Sequence, residues 1–117
     1  MKDIKSYIET ERAKYPVVFN LNVMEDLQEK FGSMQAWSDL TDGTNGEPSI
    51  KALKYGLMVM INEAIDMQNE ENDEKMAFVN EKQVGRIITE VGIAKIGEVV
   101  RDTTIRSVDT GEQPKNM

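Results

Sequence analysis

The chain of 117 residues contains no histidine and no cysteine. Without cysteine there can be no disulfide, no thiolate nucleophile and no sulfur-ligated metal. Without either residue, acid–base and nucleophilic work falls to carboxylates, lysines and tyrosines. Aromatic residues make up only 6% and tryptophan occurs once, at Trp37. No apolar run approaches the ~20 residues that span a bilayer. The N-terminal Met1-Lys2-Asp3-Ile4-Lys5-Ser6 has no apolar stretch of the kind a secretory leader needs, so none is expected.

Charge is abundant. Charged residues form 30% of the chain, the net charge is −7, and hydrophobic residues form 39%. A negative exterior repels phosphate backbones and anionic lipid heads on average. The sign is uneven along the chain. Residues 1–79 carry 8 Lys and Arg against 15 Asp and Glu, whereas residues 80–108 carry 5 against 4. The length fits one domain with one core. The sequence predicts a mainly α, single-domain helical bundle of about five helices over 1–108, with a short N-terminal extended strand or arm. Residues 1–16 are expected to dock loosely, and 109–117 to form a disordered tail.

Residues 3–14 place Ile4, Tyr7 and Ile8 on a thin stripe and predict a polar helix broken at Pro16. Val17 to Leu21 is β-branched and aromatic and reads as extended. Asn22, with Glu25 three residues later, has the pattern of a capping box. Val23, Leu27 and Phe31 then make a helical face that stops at Gly32. Ser33 begins a short helix carrying Met34, Ala36, Trp37 and Leu40, and 41–48 is a loop of turn formers. Ser49 caps the longest helix, about 49–69, on Ile50, Leu53, Leu57, Met60, Ile61, Ala64 and Ile65. It is apolar around much of its circumference, as a central helix or one half-covered by a partner would be. An acidic hinge follows at 69–75. Asn80 and Gln83 form a second capping box over a helix ending at Gly92, and a last helix runs from 93 to 108.

Groups that could perform chemistry are sparse. Every Asp and Glu falls on a polar face or in a loop, so no tuned acid, base or nucleophile stands out. Asp39, Asp42, Asn45 and Glu47 offer hard oxygens, but their spacing does not match a calcium loop. Gly43 and Gly46 lack the Lys-Ser/Thr of a phosphate loop. The reading is therefore non-enzymatic, with no catalytic residue, metal or cofactor expected. The hairpin at 80–108 has the outline of a helix-turn-helix, with Lys95, Arg101 and Arg106 as candidate DNA contacts. Its second helix opens Ile93-Ala94-Lys95-Ile96-Gly97, which offers few side chains able to read bases, so an ordinary helical hairpin fits better. Trp37 fits a core position. Met58 and Met67 lie off the main stripe and suit either core filling or an adaptable binding surface.

The order of these pieces resembles a known family. Val17-Val18-Phe19-Asn20-Leu21-Asn22 leads into Val23-Met24-Glu25-Asp26-Leu27-Gln28-Glu29-Lys30-Phe31-Gly32-Ser33. Then come a turn-rich gap, a Ser-Ile-Lys-Ala-Leu-Lys helix at 49–54, an acidic break, and Asn80-Glu81-Lys82-Gln83-Val84-Gly85-Arg86-Ile87-Ile88. Over residues 17–105 this resembles the small tail assembly chaperones of long-tailed bacteriophages and prophages. The resemblance implies a protein in the cytoplasm of a bacterial host. It would bind the tape measure protein, a long aggregation-prone helical chain, and keep it soluble during tail assembly. An apolar groove for such a client is expected along 49–69 and 80–108, lined by Leu57, Met58, Met60, Ile61, Met67, Ile96, Val99 and Val100. Self-association is compatible with this reading, and no nucleic-acid or membrane partner is expected. Two other readings stand beside it: a small DNA-binding regulator using 80–108, and a structural tail completion or connector protein.

Overall fold

The first two elements form a hairpin. In the computed structural model, which describes residues 5–44 and 46–106, strand β1 (Lys5–Glu9) pairs antiparallel with β2 (Lys14–Val18), from Lys5 opposite Val18 to Glu9 opposite Lys14. Over its described part, residues 5–14, the polar helix expected at 3–14 is therefore a strand, a turn and the first residue of β2. Tyr7 is exposed while its neighbour Ile8 is buried, a period of two. The local pattern fits either structure. What decides is long-range pairing with an extended, β-branched segment that buries Val17, Val18 and Phe19. Thr10 closes the turn, its Oγ1 accepting from the Ala13 N–H at 3.1 Å and its N–H donating to the Ala13 carbonyl at 2.9 Å.

Helix α1 (Leu21–Phe31) follows, capped by Asn20, whose side chain accepts from the Val23 N–H at 3.2 Å. The cap is thus two residues earlier than expected, and Asn22 lies inside the first turn. Asn20 also donates to Glu63 at 2.8 Å, a tertiary bond that fixes its cap geometry. Gly32 ends α1 at φ 95°, where a side chain would be strained. Ser33 caps α2 (Met34–Asp42), and Ser49 caps α3 (Ile50–Asn72). The expected hinge at 69–75 begins late. Glu70 and Glu71 are exposed and do not stop the helix, which ends at Asp73 in the left-handed region, φ 55°. The Asn80–Gln83 capping box opens α4 (Glu81–Val91), with bonds of 2.8 and 2.9 Å. Gly92 separates it from α5 (Ile93–Arg106).

Helix α3 is the centre, in contact with β2, α1, α2 and α4. Its buried residues Ala52, Leu53, Gly56, Leu57, Val59, Met60, Ile61, Ala64 and Ile65 cover most of its circumference, as expected of a helix enclosed on several sides. Trp37 of α2 is buried against it. The indole N–H donates to the Ala52 carbonyl at 3.1 Å, and the ring fills the space where a residue at Gly56 would carry its Cβ. A Cβ there would meet ring atoms at 2.6–2.8 Å. Helix α5 closes the far side through Ile96, Val100 and Thr103. The Thr103 hydroxyl donates to the Ser6 hydroxyl at 2.9 Å, joining the last helix to the first strand. Residues 109–117 and the end of the last expected helix, 107–108, lie outside the described residues.

A candidate docking cleft on helix α3

Between α3 and α4 the chain crosses from Glu74 to Asn80 without helix or strand, and two asparagines of α3 hold it. Asn62 accepts from the Val79 N–H at 2.8 Å and donates to the Val79 carbonyl at 2.9 Å. Asn69 does the same for Met76, at 3.0 Å in both directions. Each carboxamide replaces the donor and acceptor of a neighbouring strand. The spacing makes the pair possible. Seven residues of helix rise about 10.5 Å, and three residues of extended chain span about 10 Å. Residues 62 and 69 therefore match residues 79 and 76 running back in the opposite direction.

Between the two clamps lies Phe78, 56% exposed. It borders a cleft of about 320 Å³ lined also by Tyr55, Met58, Asn62, Val23 and the carboxylates of Asp26, Glu63 and Asp66. The apolar floor thus carries three acidic side chains and no cation. Glu63 is held by the Asn20 and Asn22 amides at 2.8 and 3.0 Å. Tyr55 meets the Phe31 ring edge-on at 5.8 Å, with the Lys30 ammonium 5.1 Å from its centroid. Partial burial raises the Tyr55 phenol above its usual pKa of 10.0, and the negative charges of Asp26, Glu29 and Glu81 push it the same way.

The eight residues expected to line a groove divide sharply. Leu57, Met60, Ile61 and Ile96 are fully buried and Val100 nearly so, all within the core. They are structural, because the hairpin and the other helices cover the faces on which they lie. Met58 is half-buried in the cleft, Val99 is half-buried against the core, and Met67 is half-buried beside the Asn20 amide at 3.7 Å. Phe78, Asn62 and Asn69 were not anticipated. Their signal is two asparagines seven apart on α3, followed by the short apolar run Met76-Ala77-Phe78-Val79.

Of the candidate DNA contacts, Lys95 forms an exposed ion pair with Glu98 at 3.9 Å, and Arg101 is exposed. Among the described residues, no group of three or more Asp or Glu could hold a metal ion, and no helix is long and apolar enough to cross a membrane. No family model matches this chain, and no curated protein or solved structure matches it either.

Proposed function

We propose that this protein is a non-enzymatic chaperone of the phage tail-assembly type, binding the tape measure protein in the cytoplasm of a bacterial host and keeping it soluble. The client comes from the resemblance of residues 17–105. The supporting observation in the fold is Phe78, more than half exposed on a backbone fixed by Asn62 and Asn69, beside Met58 in an acid-rimmed cleft. An exposed aromatic ring on an anchored backbone, with an adaptable methionine beside it, suits an amphipathic helix presenting apolar anchors. The carboxylates of Asp26, Glu63 and Asp66 favour basic residues flanking those anchors.

Co-expression with the tape measure protein of the same genome tests the reading. The expected result is soluble client and a complex that co-elutes on gel filtration, with both reduced by Phe78→Ala. Insoluble client with no complex would overturn it, as would recovery of the chain as a component of purified particles. Retarded DNA in a low-salt gel shift, weakening steeply as salt rises, would favour the regulator instead.

A further inference from the structure

A second groove lies at the other end of α3, where its first turns meet α4. Two adjoining cavities of about 670 and 310 Å³ share Ile50, Lys54, Gly85 and Thr89. Lys82, Arg86 and Glu90 border the larger one, and Ile88, Gly92 and Ile93 the smaller. Ile50 and Ile93 are 48% and 49% exposed, so about half of each isoleucine faces water. At Gly92 the wall of the groove is bare backbone, with nothing within 4 Å of where a Cβ would stand, whereas the Lys54 side chain lies over Gly85, its Cε 3.5 Å from that position.

The charge of this groove opposes that of the molecule. The chain carries −7 overall, yet Lys54, Lys82 and Arg86 converge here against one carboxylate. That carboxylate, Glu90, accepts the Glu11 backbone N–H at 2.8 Å. No ion pair joins Lys54, Lys82 or Arg86 to another described residue. Cations left unpaired in a chain with excess acid, beside exposed isoleucines, match a ligand with both acidic and apolar side chains. A nucleic acid supplies the negative charge but no aliphatic anchor, and the net charge of the protein repels it at longer range.

We infer that the groove between α3 and α4 docks an acidic amphipathic segment of a partner protein. Its apolar side chains cover Ile50 and Ile93, and its carboxylates pair with Lys54, Lys82 and Arg86. The inference goes beyond the proposed chaperone activity and does not depend on the cleft at Phe78.

The test uses the full chain and a fluorescent synthetic amphipathic helix with leucines on one face flanked by glutamates. A matched peptide with lysine for every glutamate and a short DNA duplex serve as competing probes. The expected result is saturable binding of the glutamate peptide, weakened by salt and reduced about tenfold or more by Lys82→Glu/Arg86→Glu. Both residues are exposed, so the variant should keep its circular dichroism and thermal midpoint. Ile93→Ser should weaken the same peptide, while Phe78→Ala should not. Equal binding of the lysine peptide, tighter binding of DNA, or an unchanged affinity in Lys82→Glu/Arg86→Glu would overturn the inference. Concentration-dependent self-association abolished by that double variant would also overturn it, assigning the groove to a second copy.

Discussion

Replacing Asn62 with alanine should unlock the 74–80 segment from α3. The variant removes two hydrogen bonds, at 2.8 and 2.9 Å, and leaves the Val79 N–H and carbonyl without their partner. Val79 is 6% exposed, so water restores these bonds poorly. A hydrogen bond is worth about 0.5–1.5 kcal/mol net, and a buried group left unpaired costs about 1–3 kcal/mol. For the pair we expect a loss of about 3 kcal/mol. With a urea dependence of roughly 1–2 kcal/mol per M, the midpoint should fall by about 1.5–3 M with an unchanged slope. Amide exchange locates the effect. The Val79 N–H should lose protection in the variant, while amides in the middle of α4 keep protection up to the reduced global stability. Asn62→Asp is a sharper probe. It retains the acceptor for the Val79 N–H but aims a carboxylate oxygen at the Val79 carbonyl, so it should not restore stability. The reasoning fails if Val79 exchanges freely in the unmodified protein, or if Asn62→Ala shifts the midpoint by less than about 0.5 M.

Gly56→Ala should destabilise by about 1–3 kcal/mol in thermal melts, through overpacking against the Trp37 ring, although alanine is the better helix former by ~1 kcal/mol. Paired with Trp37→Phe the loss should shrink, and additive effects would refute the clash. Phe78→Ala should leave the urea midpoint within about 0.5 kcal/mol of equivalent stability, as for exposed sites generally. It should weaken client binding by about 1–2 kcal/mol, since covering a whole phenylalanine is worth about 1.5–3 kcal/mol. Isothermal titration with a client fragment reads this. Tyr55 keeps its phenolic proton in the fold above the pH at which the unfolded chain releases it. Stability should therefore be intact below pH 10.0 and decline above it until Tyr55 itself ionises. Tyr55→Phe should flatten that decline, and Asp26→Asn should lower the Tyr55 midpoint in an ultraviolet titration without removing the part due to burial.

Where the chemistry is local, sequence and structure agree. Ser33, Ser49 and Asn80 cap the helices they introduce, Gly32 and Gly92 end α1 and α4, and the apolar stripe of α3 from Leu53 to Ile65 faces the core. Where a long-range partner decides, they part. Ile8 follows a strand period only because Tyr15 lies opposite it, and Asn20 displaces Asn22 as cap while it also bonds Glu63. The candidate site failed to show for a related reason. Apolar spacing identifies residues that bury area, and Leu57, Met60 and Ile61 bury theirs inside the molecule. Of the exposed remainder, Phe78 and Ile93 follow no period, and Ile50, expected on the stripe of α3, lies in its first turn with about half its surface uncovered. Such exposure depends on which elements happen to leave a face uncovered.

The hydroxyl bond between Thr103 and Ser6 bridges 97 positions of the chain. During synthesis the first strand leaves the ribosome long before the helix that secures it exists. The hairpin must then wait, paired only with itself and whatever part of α3 has followed. Messages cut short before α5 would release chains whose opening strand has lost its closing helix and is available to neighbours. Completion of α5 is in this sense what secures the opening strand.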